Sequence, residues 1–148
     1  MPGKYRPLEA IKEGPKSLFT VGRFTTIMST VYTGDIKAIL ETYPDGSVHF
    51  DAAMLHEQVH SRRQWSYSGT PVAWFFLYAF IPSFRWEEEK AGWSAEITRL
   101  VMSGYRINRA VVAQDLSSNY SGPFDNGMVT FGEAYLWISL LVESLGQR

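Results

Sequence analysis

Ala53-Met54-Leu55-His56-Glu57-Gln58-Val59-His60-Ser61-Arg62-Arg63-Gln64 is the stretch from which the rest of the chain is read. It contains His56-Glu57-x-x-His60. On a helix, residues four apart lie on one face, one turn above each other. His56 and His60 can therefore bring two imidazole nitrogens to one metal ion. Glu57 lies about 100° round the helix, where it reaches a water on that ion without binding the ion itself. Neutral nitrogen donors of this kind suit Zn²⁺, which acidifies its water, and an adjacent carboxylate can take the proton. The chain has three histidines and two of them fall here. The residues before the motif, Asp51 to Leu55, predict a helix start with Asp51 as N-cap. Ala52, Leu55 and Val59 fall at i, i+3 and i+7 and predict the buried side of that helix.

Working outward, 148 residues suit a single domain, 1–148, with 45% hydrophobic and 15% aromatic residues to build a core. A net charge of −1 argues against nucleic-acid binding by bulk charge. The absence of cysteine removes any disulfide framework or thiolate zinc site. The arm 1–17 carries charges and prolines but no apolar core of a signal peptide, so no secretory leader is expected and the location stays open between cytoplasmic and particle-associated. Residues 18–50 form a β-rich part. Leu18 to Tyr32 is rich in β-branched and aromatic residues and predicts one or two strands. Ile36–Tyr43 fits a strand or a short helix, and Val48-His49-Phe50 a short extended piece. The remainder, 51–148, reads as helical.

Past the motif helix, expected to end near Trp65, comes the most apolar run, Pro71 to Pro82. It is shorter than the roughly 20 residues that span a bilayer, so a buried helix or an interfacial segment is expected and membrane insertion is not. Ser83 is the expected N-cap of the next helix. That helix opens with the acids Glu87, Glu88 and Glu89, which point about 100° apart, so at most one is expected to face inward. Glu88 shares a face with the small residues Ala91, Gly92 and Ala95, which allow close helix approach at the level of a metal. Glu87 and Glu89 remain the alternatives. Thr130 to Glu133 reads as a capping box, and the helix from Phe131 to Leu145 is apolar on nearly all sides.

The pattern of His56-Glu57-x-x-His60 followed by Glu88-x-x-Ala91, 28 residues after His60, resembles the gluzincin branch of the zincin metallopeptidases. The resemblance covers roughly residues 48–122, and its small size is similar to minimal gluzincins found among phage and prophage proteins. With the elements read above, a single α+β domain is expected, mostly helical and zincin-like, with a small N-terminal β-sheet or ribbon. The resemblance further implies Zn²⁺ on His56, His60 and Glu88, with Glu57 as general base and a peptide or peptidoglycan-type amide as substrate. Gly92 stands where the family often has an acid supporting the first histidine. His49 reads as a turn or core residue, and Tyr105, Arg85 and Arg99 are candidate transition-state donors. The alternative is a structural or interaction protein, such as a phage-particle component, that keeps a zincin framework and joins copies or partners through Phe131–Leu145.

Overall fold

The computed structural model describes residues 11–16, 23–67 and 71–148. The expectations for residues 1–10, for the start of the β-rich segment at 17–22 and for the loop at 68–70 lie outside the described residues. The chain is α+β: a small sheet set on a mostly helical body. Three strands, β1 (Lys12–Glu13), β2 (Thr25–Ile27) and β3 (Thr30–Thr33), lie in the order β1-β3-β2. β2 and β3 form an antiparallel hairpin, and β1 runs parallel to β3. Threonine, isoleucine, valine and tyrosine favour this pleated, half-buried surface. Val31 and Thr33 turn fully inward.

The segment that fits either strand or helix is helix α1 (Ile36–Thr42), because Asp35 caps it by accepting from the Ala38 N–H at 3.0 Å. Helix α2 (Val48–Ser66) has its N-cap at Ser47, four residues before the expected Asp51. The turn through Gly46 (φ +77°) presents Ser47 as the cap, and its hydroxyl accepts from Phe50 N at 3.1 Å. Val48 to Phe50 are therefore helical rather than extended, and Asp51 sits in the first turn where the helix dipole favours an acid. The helical body thus begins before residue 51.

The buried side of α2 also differs from the apolar triad that its sequence suggests. Ala52, Ala53, His56, Glu57, His60, Ser61 and Gln64 are buried, whereas Leu55 is 36% exposed. A polar face is buried because acids of the next long helix meet its histidines and the hairpin meets Glu57 and Gln64. Helix α3 (Pro71–Phe80) buries Trp74 but exposes Val72 and Phe76, so the apolar run is a half-exposed helix rather than a buried one. It is followed by α4 (Pro82–Met102), and α2 packs most extensively on α4. Helix α4 begins at Pro82, with Ile81 rather than Ser83 at the N-cap. Proline lacks the N–H that a first helical residue leaves unpaired, and its fixed φ suits that position.

Helices α5 (Arg109–Ser118) and α6 (Phe131–Ser144) close the apolar core with α4. Ile97, Leu116, Ile138 and Val142 are its large members, each contributing about 1.5–3 kcal/mol by burial. The Thr130–Glu133 capping box is present. The inward side of α6 is Ala134, Ile138 and Val142, while Leu136 (61%) and Leu140 (59%) face outward. No helix among the described residues is long and apolar enough to cross a membrane.

Candidate metal centre

Three side chains from two helices converge beneath the sheet. His56 and His60 come from successive turns of α2, and Glu89 comes from the third turn of α4. The two Nε2 atoms are 3.0 Å apart. Glu89 Oε2 is 3.2 Å from His56 Nε2, and Oε1 is 3.1 Å from His60 Nε2. Two donors at about 2.0–2.1 Å from one tetrahedral zinc are about 3.3 Å apart, so the spacing fits such an ion with little adjustment. All three residues are buried, and the donor set of two imidazoles and one carboxylate suits Zn²⁺.

Glu88 does not join this cluster, although it is buried like Glu89, so two of the three adjacent acids are buried rather than one. Its carboxylate accepts from Arg63 Nε at 2.6 Å, on the flank of α2. Glu87 points outward and pairs with Lys90. The cause is the phase of α4 against α2. The close approach occurs at Gly92, and a Cβ there would lie 2.6 Å from His56 Cδ2 and 2.7 Å from its Nε2. One helical turn before Gly92 the side chain on the same line is Glu89, and one turn after it is Glu96. Gly92 is thus the seat of the His56 ring rather than a vacant acid position. The supporting acid is Glu96, whose Oε2 lies 2.7 Å from His56 Nδ1. A carboxylate there fixes the ring and its tautomer. His60 Nδ1, by contrast, is buried with no partner among the described residues.

Around the cluster, two of the acids are held by hydroxyls. Tyr78 of α3 donates to Glu89 Oε1 at 2.6 Å. Thr26 of β2 donates to Glu57 Oε2 at 2.6 Å. Glu57 therefore has one oxygen fixed by the sheet and stands beside the histidines without belonging to the ligand triad. His56, Glu57, His60 and Glu89 all line one cleft of about 1150 Å³, whose walls include Phe24, Tyr43, Trp74, Trp93 and Tyr120.

The electrostatics follow from burial and pairing. Burial pulls the His56 imidazole down, but the Glu89 and Glu96 carboxylates outweigh it and hold the ring well above the ordinary histidine value. Burial pushes Glu89 up, and the charge of His60 with the hydrogen bonds of both rings holds it well below the usual carboxylate range. Glu57 is raised, chiefly by burial. Tyr78 and Tyr120 are both held well above the ordinary tyrosine value, first by burial and then by the nearby Glu89, so both hydroxyls keep their protons.

The other expected residues lie elsewhere. His49 is exposed in the first turn of α2 and meets Tyr105 edge-on at 4.6 Å. Arg99 pairs with Asp51 and Ser103. Arg85 is buried, and it donates to the carbonyls of Tyr78, Ala79 and Tyr120 and to Asp125. That guanidinium is spent on holding the backbone of two site tyrosines. Thr26, Tyr78, Glu96 and Tyr120 were not singled out from the sequence. Glu96 alone left a signal there, as an acid seven residues after Glu89 and so on the same helix line. Comparison with known proteins returns no match to a family model, a curated protein or a solved structure.

Proposed function

We propose that the chain is a zinc-dependent hydrolase of amide bonds, of the gluzincin type its motif resembles. His56, His60 and Glu89 are the ligands and Glu57 the general base. The observation that carries this reading is the convergence of three ligand atoms in an accessible cleft with a fourth, unligated carboxylate beside them. Holding the metal does not require Glu57, which stands outside the ligand triad. Bound Zn²⁺ supplies a Lewis acid that polarises a carbonyl and acidifies water near neutral pH. Glu57 takes the water proton on the oxygen that Thr26 leaves free and passes it to the leaving amine. Glu96 keeps His56 Nε2 aimed at the centre, and Tyr78 does the same for Glu89. The outer edge of β2 offers backbone partners to an extended peptide. Peptides and peptidoglycan cross-bridges share the amide chemistry this site would cut.

The test is amide hydrolysis by the zinc-loaded wild type and by Glu57→Gln at equal zinc content, with a fluorogenic peptide mixture. The expected loss in the variant is ~10²–10⁴-fold. Equal rates, or no zinc uptake by the wild type, reject the reading. A second reading, an interaction protein, is favoured by one feature: Leu136 and Leu140 project from α6, with Phe131 and Tyr135 also exposed. A monodisperse monomer at high concentration counts against self-association through Phe131–Leu145.

A further inference from the structure

The side chain of Gln64, 1% exposed, lies one turn beyond His60 on the motif helix. Its amide makes two bonds to the β2–β3 hairpin. Nε2 donates to Thr26 O at 2.9 Å, and Oε1 accepts from Met28 N at 2.6 Å. This is the pattern a neighbouring strand would make. In the hairpin, Ile27 pairs with Thr30 across a two-residue turn and Thr25 pairs with Tyr32. The alternation of an antiparallel ladder then points the peptide groups of Thr26 and Phe24 away from β3, and both residues line the cleft. β2 is the outer strand among the described residues. Gln64 therefore fills the outer edge at its Met28 end and leaves the Phe24 end and Thr26 N–H facing the cleft. Met28 also sits at φ +56°, a left-handed conformation that a methionine rarely adopts. The Gln64 bond to its N–H helps hold that conformation.

We propose that Gln64 is a specificity-determining residue of this cleft. It confines strand pairing by a bound peptide to Phe24–Thr26, so only one side of the cut amide is paired. The inference rests on the hydrolase reading. Thr26 marks the level of the cut because its hydroxyl holds Glu57. Phe24 lies toward the start of α2, 6.3 Å from the Phe50 ring, and Gln64 toward its end. Antiparallel pairing, the more stable kind, runs the carboxyl side of the peptide along Phe24. The amino side meets Gln64 and finds no free edge. Phe24 and Tyr43, 5.7 Å apart, add an aromatic wall on the paired side. The substrate class is thus a peptide recognised mainly on the carboxyl side of its scissile bond, with little dependence on the length of its amino side.

The experiment measures binding by calorimetry to the zinc-loaded full chain. Two families of alanine-based hydroxamate probes are compared. Succinyl hydroxamates extend to the carboxyl side of the chelating group, and peptidyl hydroxamates extend to the amino side. Lengthening the first family is expected to tighten binding ~10-fold, the equivalent of one or two hydrogen bonds, and lengthening the second by under ~2-fold. N-methylation of the first added amide should erase the gain in the first family. Gln64→Ala should give the second family its own length dependence. Equal gains in both families, no gain in either, a reversed preference, or a gain indifferent to N-methylation overturns the proposal. So does a cooperatively folding Gln64→Ala chain whose second family stays flat. If that variant fails to fold, the wild-type N-methyl series decides. Zinc content of the same samples separates the two claims. A wild type without zinc overturns the hydrolase reading and this assignment with it, whereas a zinc-loaded chain without the asymmetry overturns this assignment alone.

Discussion

Adding one methyl group at Gly92 tests how the two helices build the site. An alanine Cβ at that position would stand 2.6 Å from His56 Cδ2, 2.7 Å from Nε2 and 3.1 Å from Cγ. Ordinary contact begins at 3.4 Å, so the ring must retreat by about 0.8 Å or the helices must part by that much. The ring cannot swing freely, because Glu96 holds Nδ1 at 2.7 Å and Glu89 lies 3.2 Å from Nε2. Two effects on stability oppose each other. Alanine gains about 1 kcal/mol over glycine inside a helix, and overpacking a filled interior costs about 1–3 kcal/mol. The net change in folding is therefore small, between neutral and about 2 kcal/mol unfavourable. The effect on metal binding is larger, because a ligand displaced by much of an ångström no longer meets the ion. The expected loss of zinc affinity is at least the ~10–100-fold seen when a supporting partner is removed. A chelator competition titration at neutral pH reads the affinity, and a thermal melt of the metal-free chain reads the folding. Gly92→Ala binding zinc within about twofold of the wild type, with an unchanged melt, would refute the claim that Gly92 seats the His56 ring.

Further predictions rest on the same geometry. Glu96→Gln keeps the shape but weakens the bond to His56 Nδ1, so zinc affinity should fall ~10–100-fold; an unchanged chelator titration would count against Glu96 as the support. Arg85→Met strips a buried guanidinium from three carbonyls and Asp125, and should cost about 3–5 kcal/mol in denaturant unfolding; a loss below about 1 kcal/mol would remove Arg85 from its holding role. Asp125 supplies a pH signature. Burial raises its carboxyl, but the Gly122 and Gly127 N–H groups and Arg85 outweigh this and leave it lowered from 3.8. A lowered folded value means that its stabilisation is present above 3.8 and is lost as pH falls through the folded value. The wild type should therefore lose melting temperature more steeply than Asp125→Asn below that pH, and parallel curves would refute the assignment.

The two histidines and Glu57 were legible because a helix fixes their relation locally: residues four apart share a face whatever the rest of the chain does. The choice among Glu87, Glu88 and Glu89 was not local. It depends on how α4 is rotated against α2, which the contact of Gly92 with His56 sets. Reading the small stripe Ala91–Gly92–Ala95 as the contact selected Glu88, whereas the single glycine at the crossing selects Glu89 and Glu96 instead. The start of α2 was placed late because Asp51 and Ser47 are both good caps, and the turn through Gly46 decides between them. Its buried side was misread for a different reason. Polar residues are buried there because Glu89 and Glu96 of α4 meet the two histidines while the hairpin meets Glu57 and Gln64, which apolar periodicity does not register. Thr26, Tyr78 and Tyr120 reach the site from a strand, a neighbouring helix and a loop, so their arrival depends on tertiary packing.

The most direct measurement is zinc per chain, by elemental analysis after exhaustive dialysis, in the wild type, Glu88→Gln and Glu89→Gln. Glu88 pairs with Arg63 and Glu89 faces both histidines. The account predicts about one zinc per chain in the wild type and in Glu88→Gln, and little in Glu89→Gln. Full zinc in Glu89→Gln with loss in Glu88→Gln, or a wild type that retains none, would contradict it.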